Sequence, residues 1–169
     1  MTTIKNLKPL TGVDASATYL ILISPENIPH LAIVHKGLYY SWTHKKVIIS
    51  EPFKPYFNFL KRANRKMIFI ALKDLNLNLE SNFLRYKEIK DKTITCLLPI
   101  KDSLLPKSKA DFIFELIPEL YASNLIKESF YVNMKEDLNE FGDFLLSKYS
   151  KQAIYSYIES LNEKYAKRQ

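Results

Sequence analysis

Short apolar runs rich in β-branched and aromatic residues fill the first third of the chain, and turn formers such as Lys36 and Gly37 separate them. The runs span residues 17–23, 30–35, 38–43 and 46–50. Only two or three residues link the second run to the third, which suits a tight hairpin and excludes a parallel crossover there. The pattern therefore predicts a meander of antiparallel strands.

The hydrophobic period changes from that of a strand to that of a helix after residue 50. The apolar positions that recur at helical spacing are Phe53, Tyr56, Phe57 and Leu60. We expect this helix to have Ser50 as its N-cap and Pro52 in its first turn. Residues 67–72 then form a continuous apolar run, which predicts a strand buried on both faces.

The middle of the chain combines helical and strand-like segments. Residues 79–90 have a mixed helical pattern, and residues 93–95 favour a strand. A helix is expected to follow from Leu97, with Pro99 in its first turn. This arrangement places Cys96 at the junction between a strand and a helix.

Two more helices and a strand complete the pattern. The first helix begins at about Ser108 and is interrupted or kinked at Pro118, and a last strand follows at residues 130–132. Ser150 caps a C-terminal helix whose apolar positions are Ile154, Tyr157, Ile158, Leu161 and Tyr165. These elements predict one α+β domain over residues 1–169, with an antiparallel sheet flanked by helices.

The composition of the chain is that of an ordinary globular protein. Hydrophobic residues make up 47% and charged residues 25%, which argues against both disorder and a membrane protein. With three glycines the chain has neither a dinucleotide-binding fingerprint nor a P-loop. Its single cysteine cannot form an internal disulfide or a cysteine-rich zinc cage. No cofactor and no metal ion are implied.

The N-terminal stretch is polar, and the first apolar run is short. That run, from Tyr19 to Ile23, is too short for the core of a signal peptide or for a spanning helix. We therefore expect a cytoplasmic protein without a transmembrane segment. The formal charge of +7 favours anionic partners of any kind, including nucleic acid and anionic lipid headgroups.

Cys96 and His30 are the residues best suited to carry chemistry. A helix N-terminus or a neighbouring histidine lowers the pKa of a thiol towards neutrality, and Cys96 lies at a predicted helix start. His30 opens a strand, where a rigid sheet can hold its ring as a general base. Residues of the next strand that can orient the imidazole are Ser41, Thr43 and, by strand parity, Tyr39, with His44 farther away.

Three short segments carry a family resemblance: residues 29–34 (PHLAIV), 39–41 (YYS) and 95–97 (TCL), together with Tyr86. They resemble the circularly permuted papain-like thiol hydrolases, which include relatives of lecithin retinol acyltransferase and of bacterial cell-wall amidases. In that family a histidine at the start of a strand precedes the cysteine, and the cysteine opens a helix. The resemblance covers about residues 19–105.

This resemblance implies a role for each matching residue. Cys96 corresponds to the nucleophile, His30 to the general base and Ser41 to the polar residue that orients the imidazole. The family usually has His, Glu, Asp, Asn or Gln at that third position, so Ser41 departs from the pattern. An inactive descendant that keeps the fold and binds another partner is therefore also compatible with the sequence.

Simpler structural interpretations apply to the same residues. Cys96 lies among apolar residues, where a lone cysteine serves as a small buried hydrophobic side chain. His30 follows Pro29 and can cap a strand or sit exposed in a turn. His35 and His44 border turns and are expected to be solvated, and the three histidines lack the spacing of a metal site.

A second functional hypothesis comes from residues 52–73, which contain six basic and no acidic residues. Interleaved basic and aromatic side chains suit single-stranded nucleic acid, because cations neutralise phosphates and aromatic faces stack on bases. The helical spacing, however, also assigns the aromatic residues to a side that faces the core. The basic residues expected to contact nucleic acid are Lys61, Arg62, Arg65 and Lys66.

The leading prediction is a thiol hydrolase or acyltransferase that attacks an amide or ester through Cys96 and His30 without a cofactor. Backbone amides at the helix start stabilise the oxyanion, and the substrate is a peptide, a lipid ester or an acyl conjugate. The alternative is a non-catalytic binding protein of similar fold that uses its basic surface for nucleic acid or another anionic partner. A protein-interaction module based on the C-terminal helix is a third class.

Overall fold

A computed structural model of the protein describes residues 1–43, 45–73, 75–87 and 95–168. The strands are β1 (Thr2–Ile4), β2 (Lys8–Pro9), β3 (Thr18–Ile23), β4 (His30–His35), β5 (Leu38–Trp42), β6 (Val47–Pro52), β7 (Met67–Leu72), β8 (Ile126–Val132) and β9 (Phe144–Leu146). The helices are α1 (Phe53–Arg62), α2 (Leu79–Lys87), α3 (Leu97–Leu104), α4 (Ile113–Ala122) and α5 (Lys151–Ala166), and a 3₁₀ helix covers Lys135–Asp137. Within the described ranges, every helix is too short or too polar to cross a bilayer.

Seven of these strands form one open sheet in the order β2-β8-β7-β3-β4-β5-β6. Its neighbouring strands run antiparallel except β2 and β8, which are parallel, and β1 and β9 form a separate antiparallel ribbon. The mixed α+β class and the meander from β3 to β6 are thus confirmed. The hairpin between β4 and β5 turns at Lys36 and Gly37, whose positive φ angles of 50° and 78° match the twist of the two strands.

Alternate residues of the central strands cover opposite faces of the sheet. Leu20 and Ile70 belong to the core shared with α2, α3 and α4, whereas Ile21 and Phe69 belong to the core shared with α1. All residues of β7 are apolar, because both faces of this strand are covered. The predicted strand at residues 67–72, buried on both faces, is confirmed.

The start of α1 differs from its prediction. Ser50 does not cap the helix, because β6 continues to Pro52 and α1 begins at Phe53. A register shift opposite Tyr39 and Ser41 lets β6 stay paired with β5 for longer than its hydrophobic pattern indicates. Ser50 instead has a φ of 54°, and its Oγ lies 3.0 Å from the hydroxyl of Tyr40.

The C-terminal half confirms part of the predicted pattern. The helix expected from about Ser108 begins only at Ile113, because the Glu115 carboxylate accepts the backbone N–H groups of Asp111 and Phe112 at 2.8 and 3.2 Å. It also continues through Pro118 without interruption. The strand predicted at residues 130–132 is part of β8, and β9 follows it, so it is not the last.

Long-range pairing accounts for the elements that the pattern missed. β1 and β2 are too short to show a period, and each is formed by pairing with a strand more than a hundred residues away. The predicted strand at 93–95 and the end of the helix expected at 79–90 fall largely outside the described residues. The structure confirms that α3 begins at Leu97 and that α5 begins directly after Ser150. Ser150 Oγ accepts the N–H of Ala153 at 3.1 Å.

Candidate active site

An apolar cavity of about 610 Å³ lies between the end of the sheet and α5. Its volume is within the range of small-molecule sites in proteins. His30 and Cys96 both line it. The apolar side chains that form most of its wall include Leu31, Trp42, Leu60, Ile113, Ile158 and Leu161.

The helix α5 forms one wall of this cavity without being part of the core. Its half-buried side faces the cavity, and none of its residues is fully buried. Lys151 pairs with the Asp111 carboxylate at 3.3 Å near the start of the helix. Near the end, the Lys45 ammonium lies 5.0 Å from the centre of the Tyr165 ring. The helix is therefore attached mainly through its cavity-facing side and two exposed contacts.

His30 is held at the start of β4 by a side chain of the neighbouring strand. Its Nε2 lies 2.6 Å from Ser41 Oγ, and Ser41 is buried. Ser41 pairs with Ala32, two residues from His30, so strand alternation brings the two polar side chains to the same face. Burial lowers the pKa of His30 to about 4, so the imidazole is neutral at neutral pH and can accept a proton.

Cys96 occupies the predicted position but not the predicted ionisation state. It is the residue that precedes the first turn of α3, which agrees with the expected helix start, whereas the strand expected before it lies largely outside the described residues. Burial nevertheless raises the pKa of its thiol to about 11, against the smaller effect of hydrogen bonds from the backbone of Leu31 and of Cys96 itself. The expected lowering of this pKa is wrong, because the apolar wall of the cavity outweighs the helix N-terminus.

The structure brings Cys96 and His30 to one cavity without joining them. Strand alternation places His30 on the α1 side of the sheet, whereas α3 packs on the other side, and both residues line the cavity at the end of β4. The thiol lies beside the backbone of Leu31, the residue after His30. Among the described residues, no hydrogen bond connects the thiol to the imidazole. At rest the cavity therefore holds a neutral thiol and a neutral base.

Two tyrosines lie near Cys96, and of these the sequence indicated only Tyr39, as a possible partner of His30. Burial is the main cause that raises the pKa of Tyr39 and of Tyr149, and Cys96 adds to it in both cases. The Tyr39 hydroxyl is buried near Ser41 and Tyr56 without a hydrogen bond of good geometry in the described part of the chain. Tyr149 lines the cavity. Both hydroxyls stay protonated at neutral pH and can donate, but only the fold shows which of the eleven tyrosines surround the thiol.

The other polar residues considered for this site do not contact the imidazole in the described part of the chain, although Thr43 lines the cavity. Thr43 Oγ1 donates to the carbonyl of Lys46 at 2.8 Å and is exposed, and His44 lies outside the described residues. His35 is not a solvated loop residue, because it ends β4 and its Nδ1 lies 2.7 Å from Thr18 Oγ1. In the described ranges, no three His, Cys, Asp or Glu side chains cluster as metal ligands.

The basic segment separates into a buried and an exposed side. Phe53, Phe57 and Leu60 are buried in the core, as their spacing predicted. Lys66 pairs with the Asp137 carboxylate at 2.7 Å. The basic residues of this segment that are exposed and form no salt bridge with a described residue are Lys54, Lys61, Arg62, Arg65 and Lys73. Most of the stacking surface expected for nucleic acid is thus inside the protein.

Comparisons with family models, with curated proteins and with solved structures give no match to this chain. Its function is therefore inferred from the chemistry of the cavity and of the surface around it.

Replacing Ser41 tests whether its contact with His30 is structurally important. Ser41→Ala leaves a partly buried ring nitrogen without its partner, which is expected to lower the free energy of unfolding by about 2 kcal/mol. Thr18→Val is the matched control, because it removes the same type of bond from the more exposed His35, which water can reach. Urea unfolding measures the free energy of unfolding that each variant loses relative to the wild type. Equal losses would show that Ser41 is no more important than Thr18.

Proposed function

We propose that the protein is a thiol hydrolase or acyltransferase of the permuted papain-like type, with Cys96 as the nucleophile and His30 as the general base. Ser41 orients the imidazole through Nε2 and leaves Nδ1 to exchange a proton with the thiol. The proposal is carried by one observation: a Ser41-bound, neutral His30 and a cysteine at a helix start line the same cavity.

The pKa values of about 4 for His30 and about 11 for Cys96 favour general-base catalysis over a preformed ion pair. The thiol proton passes to His30 as Sγ attacks the carbonyl carbon of the substrate. The leaving alcohol or amine takes that proton from the imidazolium, and a thioester remains on Cys96. Water, or an acceptor alcohol or amine, then attacks the thioester with His30 again as the base, which restores the thiol.

The negative oxygen of the tetrahedral intermediate needs donors near Cys96. Backbone N–H groups at the start of α3 are one source, and the protonated hydroxyl of Tyr149 is another. The apolar wall of the cavity favours a substrate whose acyl group is itself apolar.

Acylation by p-nitrophenyl esters of increasing chain length tests this proposal. We expect a burst of p-nitrophenol and one acyl group on Cys96 by intact-protein mass spectrometry, with a rate that rises by up to about fourfold per added methylene. Cys96→Ala abolishes the adduct, and His30→Gln slows its formation. Tyr149→Phe is expected to slow it about 100-fold, whereas Tyr155→Phe, on the same cavity wall, serves as the control.

The second candidate is a non-catalytic binding protein of the same fold. It is favoured by the raised pKa of the Cys96 thiol and by the missing hydrogen bond between that thiol and His30. In this case Cys96 is an apolar wall residue, and the exposed basic surface of Lys61, Arg62 and Arg65 contacts the partner. A thiol that no p-nitrophenyl ester acylates, in a protein that still binds a fluorescent fatty acid equally well as wild type and as Cys96→Ala, would establish this candidate over the first.

A further inference from the structure

The outer side of α1 and the turn after it carry a concentrated positive charge. Its members, here called the basic face, are Lys54, Lys61, Arg62 and Arg65. All four are exposed, and none forms a salt bridge with a residue in the described part of the chain. The nearby acidic groups Glu26, Glu136 and Asp137 act on Lys66 instead. The basic face is therefore available to an anionic partner.

An exposed aromatic residue lies on the same helix. The side chain of Phe59 is 61% exposed, although the other two phenylalanines of α1 are buried. Phe59 is three residues after Tyr56, so both lie along one flank of the helix. Tyr56, Leu60 and Arg65 line the cavity that holds Cys96. An exposed apolar ring thus lies on the same helix as these cations, next to residues that line the candidate active site.

We propose that this basic face docks on an anionic membrane surface, with Phe59 inserted among the lipid headgroups. Exposed lysines and arginines are attracted to anionic headgroups, and aromatic rings favour the membrane interface. Single-stranded nucleic acid fits this surface less well, because it needs several exposed rings for stacking and α1 buries Phe53 and Phe57. Docking in this orientation puts the rim of the cavity beside the bilayer.

Vesicle co-sedimentation of the full chain tests the proposal. Binding is measured to vesicles of phosphatidylcholine alone and of phosphatidylcholine mixed with phosphatidylglycerol, at physiological salt. Lys61→Ala combined with Arg62→Ala is expected to weaken binding to the anionic vesicles about 25-fold, since each charge contributes about fivefold. Phe59→Ala is expected to weaken it about tenfold. The inactive Cys96→Ala variant should bind like the wild type, which separates this result from the proposed catalysis.

The matched controls change the same residue types elsewhere on the surface. Phe141→Ala removes another exposed phenylalanine, and Lys107→Ala with Lys109→Ala removes two exposed lysines. Both should bind within twofold of the wild type. If the control variants lose as much vesicle binding as the test variants, the effect is not specific to the basic face, and the proposal is overturned. The proposal would also be overturned by equal binding to neutral and anionic vesicles, or by binding to a single-stranded oligonucleotide without binding to vesicles.

Discussion

Iodoacetamide is expected to alkylate Cys96 at pH 8 at least about 20-fold more slowly in the folded protein than in the unfolded chain. A thiol with a pKa of about 11 is a thiolate in roughly one molecule in a thousand at this pH, compared with about a quarter for a free cysteine. A thiolate with a higher pKa is also more nucleophilic, which offsets about tenfold of this loss in rate. Cover by the wall of the cavity slows the reaction further.

The cover that α5 provides can be removed selectively. Ile158→Lys places a charge on the side of α5 that lines the cavity, and it is expected to admit water and raise the alkylation rate. Ser160→Lys introduces the same charge at an exposed position outside the cavity wall and should leave the rate unchanged. A folded thiol as reactive as free cysteine, with a rate that falls in His30→Ala, would instead show that an ion pair exists at rest.

Acidification is expected to destabilise the fold through His30. The unfolded chain binds a proton on this residue near pH 6.5, whereas the folded chain binds it only near pH 4. Stability from the neutral imidazole is therefore complete above pH 6.5 and is lost as the pH falls towards 4. The gap between these two pKa values corresponds to about 3 kcal/mol of folding free energy, or more than a hundredfold in the folding equilibrium.

His30→Gln isolates this effect from the carboxylates that titrate in the same range. Urea unfolding at pH 6.5 and at pH 4 should show a smaller loss of stability in the variant than in the wild type. His35→Gln is the matched control, because the pKa of His35 is also lowered by burial but its ring is more exposed. Identical pH profiles for the wild type and His30→Gln would mean that the ring is solvated and can be protonated at little cost.

Local patterns in the sequence predicted the parts of the fold that depend on local interactions. The short apolar runs separated by turn formers indicated β3 to β6. The helical spacing put Phe53, Phe57 and Leu60 in the core. Strand parity also placed Ser41 on the same face as His30, and the structure shows the two 2.6 Å apart. The roles of these two residues in catalysis stay predictions.

Features set by distant parts of the chain could not be predicted in this way. The ionisation of Cys96 depends on the apolar side chains that α4 and α5 bring over it, and no local signal reports them. The neighbourhood of Tyr149 is fixed in the same manner, by packing against Phe112 and Phe114 at ring distances of 5.7 and 5.1 Å. The ribbon of β1 and β9 joins the two ends of the chain for a similar reason.

Because no residue of α5 is fully buried, we expect this helix to open as a cooperative unit separate from the sheet. Detaching it costs a fraction of the free energy that unfolds the strands, because most of the buried apolar area lies between the sheet and the other helices. Detachment of α5 removes one wall of the cavity, so we expect Cys96 to become more accessible as the detached population grows. Substitutions that strengthen the sheet are expected to leave that population unchanged, whereas those at Lys151 or Tyr165, which hold the helix at its two ends, are expected to shift it.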